Sequence, residues 1–372
     1  MRVQAAVLYG TDEPFRLDQV NLDGPGPGQV LVEVAGAGIC QSDLLFRTPG
    51  VYGEAGLLRL PAIAGHEGAG VIVEVGQGVR DLAIGDHVVL TFDSCGGCAN
   101  CLTAHPAYCM EFQERNGTGR EPDGSTPVRD SAGAPVSARW FQQSSFATHA
   151  LATTRNAIVV DRSLPLELLG PLGCGVQTGA GTVFTELAVQ PGSSLVVWGA
   201  GTVGLSAVMA AKVAGAGQII AVDLHDERLD LARELGATHA LRGDDPDVAE
   251  RVRAFTGGGA RYGIEATGMP EVAGRAIASL ATRGVLALVG LMYSDLVIGP
   301  MDLAVGRTLI GVLTGDSVPG ELIPRLIGLW QQGRFPFDRL ISHYPLSAIN
   351  QAEQDMLGGA VVKPVLLPRR SA

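Results

Sequence analysis

Hydrophobic and polar positions divide the chain into two stretches with different periods. In the first 160 residues, short apolar runs at 30–34, 70–75 and 87–90 alternate with polar positions and are separated by Gly, Pro and Asp. A two-residue period with such breaks is typical of β-strands, so we expect a mainly β unit here. Residues 115–139 are rich in Gly, Pro, Ser and Arg and are predicted to form a loop.

From about residue 166 the pattern changes, and short apolar runs alternate with segments of helical period. The apolar runs are 194–198, 218–222, 262–266 and 285–289, and the helical segments are 203–213, 227–235 and 271–280. This alternation predicts βαβ units and a parallel sheet, so the fold class is α/β. Two further helices are predicted at 322–332 and 347–356.

Composition and charge narrow the possible functions. The 372 residues suffice for about two domains, and 46% hydrophobic content suffices for sizeable cores. The net charge of −11 argues against nucleic-acid binding, which needs a basic face. No signal peptide is predicted, and the uncharged stretch 187–211 contains a proline and four glycines, which favours strand, turn and helix over a membrane span. We therefore expect a soluble, cytoplasmic protein that does not bind membranes.

Four of the six cysteines lie between residues 94 and 110 with the spacing C-x2-C-x2-C-x7-C: Cys95, Cys98, Cys101 and Cys109. A reducing cytoplasm disfavours disulfides, and four thiolates suit a closed, tetrahedral structural zinc site. Another metal and metal-free cysteines are alternatives, as is an iron–sulfur cluster, although the bacterial cluster run ends in x3-C-P. His105 lies inside this loop and is expected to face solvent, because four sulfurs already complete the coordination shell.

Two similar glycine fragments, GAGTVF at 179–184 and GAGTVG at 199–204, differ in their surroundings. Only the second completes G-x-G-x-x-G, follows a clear strand and enters a helical segment. The first glycine permits the tight turn, the second lets a pyrophosphate approach, and the third lets the helix pack on the strand, while the helix N-terminus attracts the phosphate charge. The predicted dinucleotide-binding residues of this turn are Gly199, Gly201, Thr202, Val203 and Gly204.

Asp223 ends the next predicted strand, nineteen residues beyond Gly204. A carboxylate at this place accepts hydrogen bonds from an adenosine ribose and repels a 2′-phosphate, so NAD is preferred to NADP. Arg228, one helical turn further on, is close enough in sequence to reach the ribose region. The alternative for Asp223 is that it only caps the following helix.

Cys40, His66 and Cys174 stand in GICQSD, GHEG and LGCGVQTG. A catalytic zinc takes three protein ligands and keeps one position open, and two cysteines with one histidine form a known set. Separations of 26 and 108 residues do not by themselves bring these residues together. Each also has a structural alternative, because a solitary Cys is often a small buried hydrophobe and a His can be a satisfied core residue.

Seven motifs occur along the chain in a fixed order: GICQSD, GHEGAG, GDHVV, the four-cysteine lobe, LGCGVQTGAG, GAGTVG with Asp223, and KPVL. With them the chain resembles the zinc-dependent medium-chain alcohol dehydrogenases over nearly its full length. Two segments, LGCGVQTGAGTV and RFPFDRLISHYPLSAINQA, most resemble the aryl-alcohol (benzyl-alcohol) dehydrogenase branch. The resemblance implies a GroES-like β-rich catalytic domain (1–165 and 305–372, with the zinc lobe at 94–110) and a Rossmann NAD-binding domain with a doubly wound parallel sheet (166–304).

The resemblance also implies roles for individual residues near a catalytic zinc. Cys40, His66 and Cys174 match the zinc ligands, and Ser42 matches the hydroxyl that takes the substrate proton. Asp43 matches the carboxylate that orients the histidine ligand, unless it only caps a helix.

Five further positions match the family with alternatives left open. Glu67 matches an acidic neighbour of the zinc, or is a structural ion-pair partner. Lys363 matches a basic residue that faces the cofactor pyrophosphate, or is a surface lysine. Phe92, Trp140 and Phe141 match positions that line a substrate channel, or are core aromatics.

The activity that the resemblance implies is the reversible, NAD-dependent oxidation of a primary aryl or allylic alcohol to the aldehyde. Two zinc ions per chain and a homodimer or homotetramer are implied with it. The alternatives are a terpenoid or aliphatic alcohol dehydrogenase, a zinc-free reductase like the quinone reductases, and a non-enzymatic dinucleotide-binding protein. The complete set of ligand matches argues against the last two.

One position departs from the family pattern. Many members pass the substrate proton to a histidine three residues after the serine or threonine, and here that position is Leu45. Because leucine can neither donate nor accept a proton, we expect the proton to leave from Ser42 and the cofactor ribose directly to water.

Overall fold

The structure, a computed structural model, describes residues 1–45, 59–121 and 123–368, and they form two compact units. The first unit comprises Met1–Cys174, Val318–Pro324 and Leu340–Ala372, and the second comprises Gly175–Ser317 and Arg325–Arg339. The sequence-based boundary at residue 304 differs from this grouping, because the strand Thr308–Gly311 pairs with the parallel sheet of the second unit.

The described strands and helices are numbered in chain order. The strands are β1 (Arg2–Leu8), β2 (Arg16–Leu22), β3 (Gln29–Gly38), β4 (Ala62–Ile63), β5 (Gly68–Val75), β6 (His87–Leu90), β7 (Val128–Arg129), β8 (Pro135–Val136), β9 (His149–Thr153), β10 (Ala157–Val160), β11 (Ser194–Trp198), β12 (Gln218–Asp223), β13 (His239–Arg242), β14 (Ala260–Glu265), β15 (Leu280–Leu288), β16 (Thr308–Gly311), β17 (Ile341–Pro345) and β18 (Lys363–Leu367). The α-helices are α1 (Gln41–Leu44), α2 (Ala99–Leu102), α3 (Phe112–Gly117), α4 (Leu166–Leu169), α5 (Gly175–Gly181), α6 (Thr202–Ala214), α7 (Asp226–Leu235), α8 (Val248–Phe255), α9 (Pro270–Ser279), α10 (Pro300–Ala304), α11 (Pro319–Gln331) and α12 (Ile349–Leu357).

Two sheets build the first unit. One has the order β4-β1-β2-β7-β8, and the other has the order β10-β6-β5-β3-β18-β17, with β9 also paired to β3. Strand β3 pairs with three neighbours, and the chain leaves its end at Gly38 directly into Ile39 and Cys40. A shared apolar core that includes Val32, Val34 and Phe146 lies on these strands. The central, buried end of β3 therefore supplies a rigid support for the residues that follow it.

The second unit is a six-stranded parallel sheet with the order β13-β12-β11-β14-β15-β16. In the order of the chain this is 3-2-1-4-5-6, which is the doubly wound arrangement whose ligand crevice lies at the carboxyl ends of the strands. A core formed by Val196, Trp198 and Ile220 with their neighbours packs on it.

The predicted elements agree with most of those observed, so the α/β prediction is confirmed. Strands at 87–90 and 194–198 have the predicted bounds, and α6, α7 and α9 begin and end within about one residue of prediction. The prediction that 115–139 is a loop is wrong in part, because α3 continues to Gly117 and β7 pairs with β8. Strands of two residues are too short to show a period in the sequence.

None of the helices in the described part of the chain is long and apolar enough to cross a membrane. The uncharged stretch 187–211 contains β11 and most of α6, joined by the glycine-rich turn, as its proline and glycines predicted.

Candidate metal centres and cofactor site

The four cysteines of the lobe converge on one point of the first unit. The ligand atoms of Cys95, Cys98, Cys101 and Cys109 all lie within 4.8 Å of one another. The Sγ atoms of Cys98 and Cys101 are 3.5 Å apart, and those of Cys95 and Cys101 are 3.9 Å apart. Four sulfurs at about 2.3 Å from a tetrahedral zinc ion would be roughly 3.8 Å apart, so the residues present fit that ion.

Backbone amides surround these sulfurs. The amides of Gly97 and Cys98 donate to Cys95 Sγ, at 3.4 and 3.3 Å, and the amide of Cys95 donates to Cys109 Sγ at 3.2 Å. Hydrogen bonds led by the one from the Met110 amide lower the pKa of Cys98 to about 6. Such donors stabilise thiolates, the form that binds zinc. His105 is exposed and lies outside this cluster.

A second cluster brings together the three residues that stand 26 and 108 positions apart. The ligand atoms of Cys40, His66, Glu67 and Cys174 also lie within 4.8 Å of one another, in the first unit. His66 Nε2 is 3.1 Å from Cys174 Sγ. Two donor atoms at about 2.1 and 2.3 Å from one tetrahedral ion would be roughly 3.6 Å apart, so this set also fits a zinc ion.

Asp43 orients the histidine of this cluster. Its carboxylate is fully buried, and Oδ1 lies 2.7 Å from His66 Nδ1. The same oxygen accepts the Gly65 amide at 3.0 Å and the Trp140 indole N–H at 3.0 Å, while Oδ2 accepts the Cys40 amide at 3.1 Å. Asp43 therefore caps α1 and also contacts His66, and its role in orienting a metal ligand stays a prediction. The contact to Nδ1 places the proton there and leaves the Nε2 lone pair for a metal.

The electrostatics of the cluster favour a cation. The hydrogen bond with Cys174 holds the pKa of the Cys40 thiol well below its ordinary value, and the same contact raises the pKa of Cys174. Burial lowers the pKa of His66, but the Asp43 carboxylate outweighs burial and holds this pKa well above its ordinary value. Surroundings that stabilise positive charge on His66 also favour a divalent ion at the same place.

Glu67 and Lys363 form a buried ion pair beside these ligands. Lys363 Nζ lies 2.9 and 2.8 Å from the two carboxylate oxygens of Glu67 and donates to the Ile39 carbonyl at 2.8 Å. The side chains are 2% and 0% exposed, respectively. All three ammonium hydrogens therefore have acceptors. This geometry agrees with the alternative that Glu67 is an ion-pair partner, and it disagrees with the alternative that Lys363 is a surface lysine. A contact of Lys363 with pyrophosphate stays a prediction.

The three aromatic candidates lie near the cluster or in the core around it. The Phe141 ring stacks on the His66 ring with a centroid distance of 4.5 Å and an interplanar angle of 24°. Trp140 is 3% exposed and meets His66 edge to face at 6.2 Å. Phe92 is also 3% exposed and packs against Phe112. Trp140 and Phe92 are thus core aromatics in the structure, and the channel role of all three stays a prediction.

The glycine-rich turn of the second unit has the geometry that a dinucleotide site needs. Gly199 has a φ of 94°, and a Cβ on Gly204 would lie 1.8 Å from the Gly199 carbonyl oxygen. A Cβ on Gly201 would meet nothing within 4 Å, so its face is open. Thr202 and Val203 begin α6, whose first turn has no side-chain cap. The other fragment, 179–184, runs from α5 into a short π-helix and makes no such turn.

Asp223 lies beside this turn. Its Oδ2 accepts the Ala200 amide at 2.6 Å, and its Oδ1 accepts the His225 amide at 2.9 Å. It does not cap α7, which begins at Asp226. Arg228 lies in the first turn of α7, and its Nε is buried without a hydrogen-bond partner among the described residues. Asp223 therefore contacts the glycine-rich turn itself, and the contacts of Asp223 and Arg228 with a ribose stay predictions.

Two family models match the chain, one within the first unit and the other mainly within the second. An alcohol dehydrogenase GroES-like domain matches residues 26–160, and a zinc-binding dehydrogenase domain matches residues 202–329. The chain belongs to the zinc-dependent medium-chain alcohol dehydrogenase family. The family prediction and the GroES-like and Rossmann fold predictions are confirmed, and membership makes this protein an alcohol dehydrogenase-type oxidoreductase for which zinc and NAD(H) are implied.

Several relatives of this alcohol dehydrogenase cover almost its whole length. A geraniol dehydrogenase of Castellaniella defragrans is 42% identical over an alignment of 371 residues, with coverage of 98% of this chain and 97% of the relative. A crystal structure of an alcohol dehydrogenase zinc-binding domain protein from Burkholderia ambifaria is 48% identical, with a TM-score of 0.95 and coverage of 99% and 100%. That of a benzyl alcohol dehydrogenase from Acinetobacter calcoaceticus is 41% identical, with a TM-score of 0.93 and coverage of 99% of both chains.

Sequence reasoning missed one residue of the site. Gln143 donates to the His66 carbonyl at 2.9 Å and accepts the Gly68 amide at 3.0 Å, so it holds the backbone on both sides of His66 and Glu67. No periodicity or motif marks this glutamine, because its role depends on contacts with residues 75 and 77 positions away.

Proposed function

We propose that this alcohol dehydrogenase oxidises primary aryl or allylic alcohols to aldehydes with NAD and holds two zinc ions per chain. The observation that supports the chemistry best is the buried convergence of Cys40, His66 and Cys174, with Asp43 behind the histidine. The four-cysteine lobe would hold the second, structural ion. The names of two relatives contain the alcohols geraniol and benzyl alcohol. In both alcohols the hydroxyl is on a carbon next to a π system.

The residues of the chain divide the work of the reaction. When bound, zinc supplies Lewis acidity at the alcohol oxygen and NAD supplies the hydride acceptor. Ser42 accepts the hydroxyl proton, and its Oγ lies 3.9 Å from Cys40 Sγ on the short helix α1. Leu45, three residues further on, is 5% exposed and has no group that can donate or accept a proton, so a proton taken up at Ser42 Oγ would have to leave without a relay through this side chain.

We expect benzyl alcohol and geraniol to be oxidised roughly 10- to 100-fold more efficiently than ethanol. Burying an aromatic or branched apolar group is worth about 1.5–3 kcal/mol, and a tenfold change corresponds to about 1.4 kcal/mol. The measurement is kcat/KM for the three alcohols with NAD under identical conditions. Equal values for ethanol and benzyl alcohol would refute the aryl or allylic preference, and the ratio of benzyl alcohol to geraniol separates the aryl from the terpenoid alternative.

We also expect a preference for NAD over NADP of about 10-fold or more. A 2′-phosphate placed about 4 Å from the Asp223 carboxylate would meet roughly 1–4 kcal/mol of repulsion per unit charge. Asp223→Asn should narrow the ratio of the two kcat/KM values, because it removes the charge and keeps an acceptor. Arg228→Gln, which removes the neighbouring positive charge, is the matched control. Comparable kcat/KM values for NAD and NADP in the wild-type protein would show that attraction of the 2′-phosphate by Arg228 outweighs its repulsion by Asp223.

A homodimer or homotetramer is part of the same proposal. Large exposed apolar side chains are frequent between residues 291 and 313, and the clearest examples are Val297 at 86% and Met301 at 73% exposure. This segment includes β16, the last strand in the order of the parallel sheet. Concentrated exposed apolar surface next to a sheet edge is typical of protein–protein interfaces. A small-molecule alcohol is then the only further partner that the proposed reaction needs.

A further inference from the structure

Trp140 is tied to the histidine ligand through a chain of hydrogen bonds. Its indole N–H donates to Asp43 Oδ1 at 3.0 Å, and the same oxygen lies 2.7 Å from His66 Nδ1. The side chains of Trp140, Asp43 and His66 are 3%, 0% and 1% exposed, so water does not compete for these contacts. A buried hydrogen bond to a charged acceptor is among the stronger ones.

The turn that carries Trp140 is strained. Phe141, Gln142 and Ser144 have φ angles of 48°, 56° and 50°, in the left-handed region that side chains other than glycine seldom adopt. Three such residues within four positions store conformational strain in this turn. Strain of this kind persists only where surrounding contacts hold it.

Hydrogen bonds connect this turn to the segment around His66, between β4 and β5. Ser144 Oγ donates to the Ile63 carbonyl at 2.7 Å, and the Ser145 amide donates to the Gly65 carbonyl at 2.9 Å. Gln143 donates to the carbonyl of His66 itself at 2.9 Å. One face of the His66 ring stacks on Phe141. The turn therefore contacts the backbone and the ring face of His66 directly, and it contacts His66 Nδ1 indirectly through Asp43.

We propose that Trp140 is a positioning residue for the metal ligand His66 and acts through Asp43. Its N–H saturates the oxygen that contacts Nδ1, so Asp43 cannot rotate away and His66 Nε2 stays aimed at Cys174. The strained turn 140–144 positions the indole within hydrogen-bonding distance of Asp43 Oδ1. This inference rests on the proposed function, because it assumes that Cys40, His66 and Cys174 hold a metal ion.

The test compares two tryptophans that make the same kind of bond. Trp140→Phe keeps an aromatic ring and removes the N–H that reaches Asp43. Trp330→Phe is the matched control, because the Trp330 indole also donates to a carboxylate, Asp338 Oδ1 at 2.8 Å, within the second unit. Metal affinity is measured by competition with a chelator, and the four-cysteine lobe serves as an internal reference. The visible spectrum of the cobalt-substituted protein and the separate kcat and KM values for benzyl alcohol complete the readouts.

We expect Trp140→Phe to weaken metal binding at the Cys40–His66–Cys174 cluster about 10-fold, the lower end of the range for partners of a metal-bound histidine. The cobalt bands should shift, and kcat should fall more than KM rises. Trp330→Phe should change none of these. Wild-type affinity and spectrum in Trp140→Phe would overturn the proposal, and so would equal losses in both variants, which would report a general loss of stability.

A measurement on the wild-type sequence guards against a Trp140→Phe variant that does not fold. With 5-fluorotryptophan in place of the three tryptophans, the ¹⁹F signals of Trp198 and Trp330 are assigned from their Phe variants, which leaves Trp140. Exchange of the catalytic zinc for cobalt should move the Trp140 signal most, and an unmoved signal would overturn the inference. The proposed function itself fails if Cys174→Ala contains as much metal as the wild-type protein. That outcome differs from every outcome of the Trp140→Phe and ¹⁹F experiments.

Discussion

Replacing Cys174 with alanine should reduce alcohol oxidation by about 10³-fold or more and leave a folded protein with one zinc ion per chain. Removing one of three protein ligands leaves Cys40 and His66, because the Glu67 carboxylate is engaged by Lys363. A metal ion contributes several kcal/mol of charge stabilisation at the reacting oxygen, and about 1.4 kcal/mol corresponds to a tenfold change in rate. Elemental analysis, circular dichroism and kcat/KM for benzyl alcohol check the three parts of this result.

Cys98→Ala provides the reciprocal comparison. It removes a ligand of the four-cysteine lobe, whose metal would be part of the folding free energy, so it should lower the melting temperature and also leave one zinc ion. Activity at low temperature should survive better than in Cys174→Ala. Retention of activity within tenfold by Cys174→Ala, or iron in place of zinc in the wild-type protein, would contradict the assignment of the two centres.

Lys363→Met should destabilise the first unit by about 3–5 kcal/mol, the usual result of removing one partner of a buried ion pair. The variant removes the ammonium group that contacts both oxygens of the fully buried Glu67 carboxylate. Burial lowers the pKa of Lys363, but Glu67 outweighs burial and raises it above its ordinary value. The stabilisation is therefore fully present at neutral pH and is lost only as the pH rises above about 10.4.

The chain contains only two lysines, so Lys212→Met, at an exposed position in α6, is the natural control. Guanidinium unfolding followed by circular dichroism measures the difference. A double variant, Glu67→Gln with Lys363→Met, should recover part of the lost stability because it removes the buried charge of Glu67 together with that of Lys363. If Lys363→Met costs no more than Lys212→Met, the pair has no structural role, and a raised KM for NAD in the same variant would support the predicted pyrophosphate contact.

The sequence predicted the elements whose signal is local. Strands such as β6 and β11 show their period within a few residues, and the turn at 199–204 combines glycine spacing, strand and helix start in one short segment. The two-residue strands β7 and β8 carry no such signal, and the loop prediction missed them. The spacing of the four lobe cysteines also predicted their convergence, because a chain of fifteen residues keeps them close.

The sequence by itself therefore determined the α/β class, the four-cysteine cluster and the glycine-rich turn. Residue spacing left Cys40, His66 and Cys174 as three separate candidates, and only a resemblance joined them before the tertiary structure brought them within 4.8 Å. The tertiary structure alone decided that Lys363 is buried against Glu67 and that Trp140 donates to Asp43. These pairs are separated by 296 and 97 residues, and contacts at such distances depend on how the sheets fold back on one another, which no local period records.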